Sequence, residues 1–133
     1  MKKIAIFDLD GTVIDSDHRT PNKADGTLDL DRYFELKTRE NIFRDTVLPL
    51  AERMKEMYDS GDWHIVICTA RDMDQNDFDF LADNDLKFHE CFDKYTRYVF
   101  FDDARPIIDT FSTYPNVDMI DATIENKRLS YGN

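Results

Sequence analysis

The chain has 133 residues, of which 28 are Asp or Glu and 17 Lys or Arg, giving a net charge of −11. An apolar fraction of 41% that includes ten Phe is enough to fill the core of one domain, which argues against disorder despite 34% charged residues. Such an acidic chain repels a phosphate backbone at long range and is poorly suited to coat duplex DNA, although a metal or a local cationic pocket can invert the field at one place.

Behind Met1-Lys2-Lys3 the apolar run Ile4-Ala5-Ile6-Phe7 stops after four residues. That is too short for the core of a signal peptide, and no later run is long enough to span a bilayer. The same short run suits a central strand of a parallel sheet, covered on both faces. It ends in Asp8-Leu9-Asp10-Gly11-Thr12. From Asp15 to about Arg44 the sequence turns polar, with Pro21, Gly26 and many acids. A structureless stretch of that length does not fit a compact domain, so this segment is expected to carry its own turns and a short helix, anchored by Tyr33, Phe34, Leu36, Ile42 and Phe43.

Pro49 to Tyr58 reads as a helix, with Leu50, Met54, Met57 and Tyr58 at three- and four-residue steps and Ser60-Gly61 as its stop. Trp63 to Cys68 is a second strand, ending at Thr69-Ala70-Arg71; Phe78, Leu81 and Ala82 mark a short helix behind it. Tyr98 to Phe101 is a third strand, ending at Asp102-Asp103, followed by a helix from Arg105 to Tyr114 and a last strand from Val117 to Ile120. Strands alternating with helices at this spacing predict an α/β fold with a mostly parallel sheet. Cys68 and Cys91 have neither metal-binding nor disulfide spacing, and Cys68 reads as a small core residue. A cytoplasmic protein without a membrane partner is the expectation.

Three apolar strands thus end in polar clusters: Asp8 and Asp10, Thr69 and Arg71, Asp102 and Asp103. In an open parallel sheet those ends share one edge, where ligands bind. Four carboxylates gathered there repel one another unless a cation neutralises them, and oxygen-only ligands in small number suit Mg²⁺ better than a Ca²⁺ cage. Each cluster alone is as well explained by a turn or a helix cap. Their conjunction in one chain is what points to phosphate chemistry.

The run Phe7-Asp8-Leu9-Asp10-Gly11-Thr12-Val13 resembles the first motif of the haloacid dehalogenase superfamily, with Thr69 similar to its second motif and Asp102-Asp103 to its acidic fourth. More narrowly, Thr69-Ala70-Arg71 and Asp102-Asp103-x-Arg105 look similar to the 3′-phosphatase domain of polynucleotide kinase–phosphatases. The resemblance implies a Rossmann-like three-layer sandwich, one domain over residues 1–133 with a small cap-like insertion at about 15–44. It implies a Mg²⁺-dependent phosphatase with Asp8 as nucleophile, Asp10 as acid and base, and Mg²⁺ held by Asp8, Asp10, Asp102 and Asp103. Thr69 would hold the phosphoryl oxygens; Thr12, Arg19 and Arg71 are candidates for substrate binding, Arg71 either gripping phosphate or pairing with a neighbouring acid. Within the insertion His18, Lys23, Tyr33, Lys37 and Arg39 are further candidates.

The departure is the third motif, a cation on a helix well before the last acids. Here Lys94 stands only a few residues before Asp102, with Lys87 and Arg97 as competitors. Lys94 is preferred, because a loop just before the third strand can swing an ammonium over the sheet edge. The implied substrate is a small phosphorylated molecule, a nucleotide or a nucleic-acid 3′-phosphate end, with another phosphorylated metabolite as the alternative. A signalling receiver domain shares the acidic pocket but carries its phosphoacceptor on a middle strand, which here ends in Thr69. A non-catalytic phosphate-binding member would lack Asp8 or Asp10, and both are present. The acids Asp72, Asp74, Asp77 and Asp79 lack the Gly and Glu of an EF-hand and read as a solvated helix start.

Overall fold

The computed structural model describes residues 2–113 and 116–131. The chain forms two compact units, Met1–Lys94 and Tyr95–Asn133. In the first, strand β1 (Lys3–Phe7) runs into a tight loop in which Leu9 O accepts the N–H groups of Thr12, Val13 and Ile14. Gly11 sits at φ +77°, a left-handed conformation that any side chain would strain. Strand β2 (Ile14–Asp15) then pairs antiparallel with β3 (Thr46–Val47), so a two-stranded ribbon clamps both ends of the polar excursion.

Inside the excursion are a 3₁₀ turn (Asp17–Arg19), helix α1 (Leu30–Leu36), capped by the Asp29 side chain, and helix α2 (Arg39–Ile42), capped by Thr38. The expected short helix is there, with a second beside it. Helix α3 (Leu50–Asp59) starts after Pro49 and buries Ala51 and Met54. Strand β4 (Trp63–Cys68) lies parallel to β1 in the register Phe7↔Ile67. Helix α4 (Gln75–Asp83) opens on a reciprocal cap between Asp74 and Asp77, and strand β5 (Glu90–Phe92) pairs parallel with β4, Cys68 opposite Phe92. The core lies between the sheet and helices α2, α3 and α4, around Ile42, Met54, Ile65, Ile67, Phe80 and Leu81.

The second unit is a parallel pair, β6 (Tyr98–Asp102) and β7 (Val117–Asp121), with helices α5 (Arg105–Phe111) and α6 (Ala122–Tyr131). Pro106 occupies the first turn of α5, and the Phe111 ring stacks on Phe100 with centroids 5.1 Å apart. Tyr114, the expected end of α5, lies outside the described residues. The fold is α/β, with a mostly parallel central sheet in the order β1-β4-β5 flanked by helices, as in a Rossmann-like sandwich.

Two expectations are corrected. Cover on both faces is met by β4, where Ile65, Val66 and Ile67 are buried, whereas Ile4 and Ile6 of β1 and Val99 and Phe101 of β6 are exposed. Cys68 is exposed rather than core. Cys68 shares its face with the buried Val66 but is the last residue of β4, so its exposure comes from its place at the strand end and not from the face it presents. Strand β5 and helix α6 were not anticipated, since Glu90-Cys91-Phe92 is too short, and Ala122–Tyr131 too polar, to show a clear period.

Candidate active site

The parallel register decides what meets at the carboxyl edge of the first unit. Phe7 pairs with Ile67 and Cys68 with Phe92, so Asp8, the Thr69–Arg71 loop and Asp93-Lys94 leave the sheet side by side. Backbone bonds stitch the last two together: Thr69 N–H donates to Phe92 O at 2.9 Å, and Lys94 N–H to Arg71 O at 2.9 Å. Met73 N–H donates to the Asp93 carboxylate at 3.2 Å. Lys94 therefore reaches the edge because it follows β5, not because it precedes the strand at Tyr98.

Asp8 is exposed, with Oδ1 accepting the Leu9 N–H at 2.8 Å. Thr69 is buried, and its Oγ1 accepts the Arg71 N–H at 3.1 Å, which leaves the hydroxyl proton available to a ligand oxygen. Thr12 is half-buried, its N–H spent on Leu9 O.

Asp10, two residues beyond Asp8, is held by Arg71 through Nε (3.0 Å) and Nη2 (2.7 Å) and by the Ser16 hydroxyl (2.6 Å). The same guanidinium donates from Nη1 to Asp77 at 2.9 Å and from Nη2 to Asp45 at 3.3 Å. Asp45 in turn accepts Arg19 through Nε (2.9 Å) and Nη2 (2.8 Å) and meets His18 Nε2 at 2.8 Å. Lys37 Nζ stands 3.5 Å from Asp77. Arg19, Arg71, Asp45 and Asp77 are all buried, so two guanidiniums and an ammonium face two carboxylates out of water and a third, Asp10, that keeps part of its side chain exposed to the cavity. Breaking one member of such a set leaves an uncompensated buried charge, at a cost of about 3–5 kcal/mol.

Burial alone pushes the Asp10 carboxyl upward, but the hydrogen bonds and charge of Arg71, helped by Ser16, outweigh it and hold the group below the usual carboxylate range. Burial likewise acts to discharge Arg71, and Asp10, Asp77 and Asp45 more than reverse it. Of the two roles open to Arg71, the structure displays the pairing with acids. Arg19 is buried on Asp45. His18, Lys37 and Arg39 tie the insertion down: His18 to Asp45, Lys37 to Asp72 O and Asp77, and Arg39 to Asp79 at 2.6 Å. Asp77 is no solvated helix start, as expected of the acidic run, but a buried partner of Arg71. Asp45, Ser16 and Asp77 were missed as site residues; an Asp three residues after Asp74 is a cap signal, and nothing local marks Asp45.

Between the insertion and this edge lies a cavity of about 350 Å³, with Asp10, Arg71 and Lys94 on one side and Leu28, Leu30, Tyr33 and Phe34 on the other. The Lys94 ammonium stands 5.4 Å from the centre of the Phe34 ring. Lys87 pairs with Asp85 at 3.7 Å and lies over the Tyr58 ring, and Arg97, in the second unit, pairs with Asp118 at 3.0 Å. Also in the second unit, Asp102 is half-buried at the end of β6 and accepts the Ala104 N–H at 2.7 Å, while Asp103 is exposed. Among the described residues no group of three or more His, Cys, Asp or Glu side chains is gathered for a metal. The second carboxylate oxygen of Asp8 takes no donor among the described residues, which suits an ion that keeps most of its waters.

The α/β sheet thus carries Asp8, Asp10, Thr69 and Lys94 at its carboxyl edge, beside a half-roofed cavity. The chain belongs to the bacteriophage T5 5′-deoxynucleotidase family, whose model matches residues 1–92. It is 36% identical over 90 residues to the 5′-deoxynucleotidase of Escherichia phage T5, a stretch covering 65% of this chain and 37% of that protein. The chain thus spans little more than a third of that relative's length. No solved structure matches. Among the described residues no helix is long and apolar enough to cross a membrane.

The Arg71–Asp10 pair has a measurable consequence. A carboxylate depressed in the folded state contributes stability that is complete above its unfolded value of about 3.9 and is lost as pH falls through the folded one. Urea unfolding of wild type should therefore lose stability more steeply below about pH 4 than Asp10→Asn, with parallel curves above pH 5. Identical acid limbs would show that the pair does not form in solution.

Proposed function

We propose that this protein is a phosphomonoesterase of the haloacid dehalogenase type that hydrolyses a deoxynucleoside 5′-monophosphate through an aspartyl-phosphate on Asp8. The observation that carries the reading is the carboxyl edge, where an exposed carboxylate with one oxygen uncommitted stands at a strand end beside the Thr69 and Lys94 segments. A carboxylate oxygen of Asp8 attacks phosphorus, the bond to the ester oxygen breaks, and that oxygen takes a proton from Asp10. Water then attacks the aspartyl-phosphate, gives its proton to Asp10, and the bond between phosphorus and Asp8 breaks to release phosphate. Paired with Arg71, Asp10 is a carboxylate at neutral pH, and the phosphate dianion arriving beside it raises its proton affinity by like charge, so that it takes up from solvent the proton it then gives to the ester oxygen. Thr69 and Lys94 hold the equatorial oxygens as charge moves onto them.

Mg²⁺ would let an anionic nucleophile approach an anionic phosphate. Asp8 and the Asp10 carbonyl would hold it, with water completing the set. Accelerations of phosphate-monoester hydrolysis reach about 10²¹, more than any one of these groups supplies alone. The nucleotide is supported by the relative, a 5′-deoxynucleotidase, and by the net charge of −11, which disfavours a nucleic-acid 3′ end.

A screen over deoxynucleotides, 3′- and 5′-phosphorylated oligonucleotides and sugar phosphates, with Mg²⁺ and with chelator, should give Mg²⁺-dependent release of phosphate from the 5′-mononucleotides. Asp8→Asn should abolish it with the fold intact, and a tenth of wild-type rate in that variant would overturn the nucleophile. Lys94→Ala should lower kcat/KM by at least about 10²-fold. Were Lys94→Ala near wild type and Lys87→Ala or Arg97→Ala crippled, the phosphate-binding role would pass to that residue.

A further inference from the structure

The insertion presents an arrangement that its own stability does not require. Leu28, Leu30 and Phe34 are 41%, 52% and 45% exposed, yet all three turn toward the same cavity. Single exposed apolar side chains are ordinary on a protein surface; several converging on one concave wall mark a ligand groove. The segment does not need them to stay folded down, because the His18 hydrogen bond, the Lys37 and Arg39 ion pairs and the buried Ile42 already fix it. Tyr33 and Phe34 stand edge to face, with ring centroids 5.7 Å apart, so the wall is aromatic and each ring limits the movement of the other. Across the cavity the lining is charged: Asp10, Arg71 and Lys94.

A ligand matching this cavity has a flat apolar ring at one end and an anion at the other. We infer that Phe34, supported by Tyr33, is the stacking surface for the base of a mononucleotide and that this wall sets the preference for nucleotides over ringless phosphate esters. The inference rests on the phosphatase reading for the anionic end only. A volume of about 350 Å³ lies at the lower end of the range for small-molecule sites, in keeping with one nucleoside. The Lys94 ammonium lies over the Phe34 ring, 5.4 Å from its centre, so a base that stacks there takes over the place of the cation, which swings toward the phosphate it would hold.

The test separates the base from the phosphate. Equilibrium dialysis with deoxyadenosine, which has no phosphate, and with 2-deoxyribose, which has no ring, is run on wild type, Phe34→Ala and Phe34→Trp. Deoxyadenosine should bind saturably, at least about tenfold more weakly to Phe34→Ala, with binding recovered in Phe34→Trp and none of deoxyribose to any form. In kinetics, Phe34→Ala should lower the ratio of kcat/KM for deoxyadenosine monophosphate over glycerol phosphate by at least about tenfold, chiefly through KM. Deoxyadenosine binding no better than deoxyribose, equal binding by a folded Phe34→Ala, or an unchanged ratio would each overturn the inference. If no phosphate ester is hydrolysed but the nucleoside still binds through Phe34, the enzyme reading fails and the base site stands.

Discussion

Arg71 is the interaction on which the first unit depends, because one buried guanidinium joins three segments that share no sequence neighbourhood. Its Nε and Nη2 hold Asp10 from the loop after β1, Nη2 also reaches Asp45 before β3, and Nη1 holds Asp77 in the first turn of α4. The planar fork of arginine suits this, since its donors point in fixed directions and its charge survives burial. Asp45 carries the coupling further, taking both Arg71 and Arg19, so the start of the insertion and its end are tied to the same atoms that orient Asp10. The group that would handle protons in the reaction is therefore positioned by a network that also fixes the insertion. Buried ion pairs of this kind contribute little net stability against an apolar core, but they are costly to break singly, and that favours one geometry over its neighbours.

Around this network the backbone does the assembling. A parallel sheet delivers every strand end to one edge, and the pairings Phe7↔Ile67 and Cys68↔Phe92 are enough to align Asp8, Thr69 and Lys94. The family match ends at residue 92 and the first compact unit at Lys94, so the shared part of the sequence coincides with a unit that has its own core. Asp102 and Asp103 lie beyond the matched stretch, at the end of β6, where Asp102 also caps the turn into α5.

Much of this was legible in the sequence, and what was not has physical causes. Trp63–Cys68 shows itself because a buried central strand is a continuous apolar run, and Leu50–Asp59 because its apolar residues keep the helical period from Pro49 to Ser60. The Asp8-x-Asp10 pair and Thr69 could be placed because strand ends are read from where such runs stop. Strand β5 could not, as three residues are shorter than any usable period, and with it went the true reason for the position of Lys94. Arg71 was seen as a choice between phosphate and acid. Its acids, 61, 26 and 6 residues away, belong to no local pattern. Exposed Cys68 shows the opposite limit: composition speaks for burial, and its place as the last residue of the strand decides.

The acidic character of the chain and the proposed phosphate site are not in conflict. The net charge of −11 acts at long range and is screened over about 8 Å at physiological salt, whereas Arg71 and Lys94 act at the cavity wall itself. Arg71 is already neutralised by carboxylates, so it contributes geometry more than attraction, and the cation of this wall with the longer reach is Lys94, whose point charge can follow a moving phosphoryl oxygen. Small anions that fit the cavity gain from that local field and from the apolar wall opposite. A polyanion must bring many phosphates close to an acidic surface and gains the same local contacts only once. On the proposed reading, charge at a distance would reject a polyanion while local charge and an aromatic wall would accept a single nucleotide, and both would follow from where the few cations of the sequence are folded.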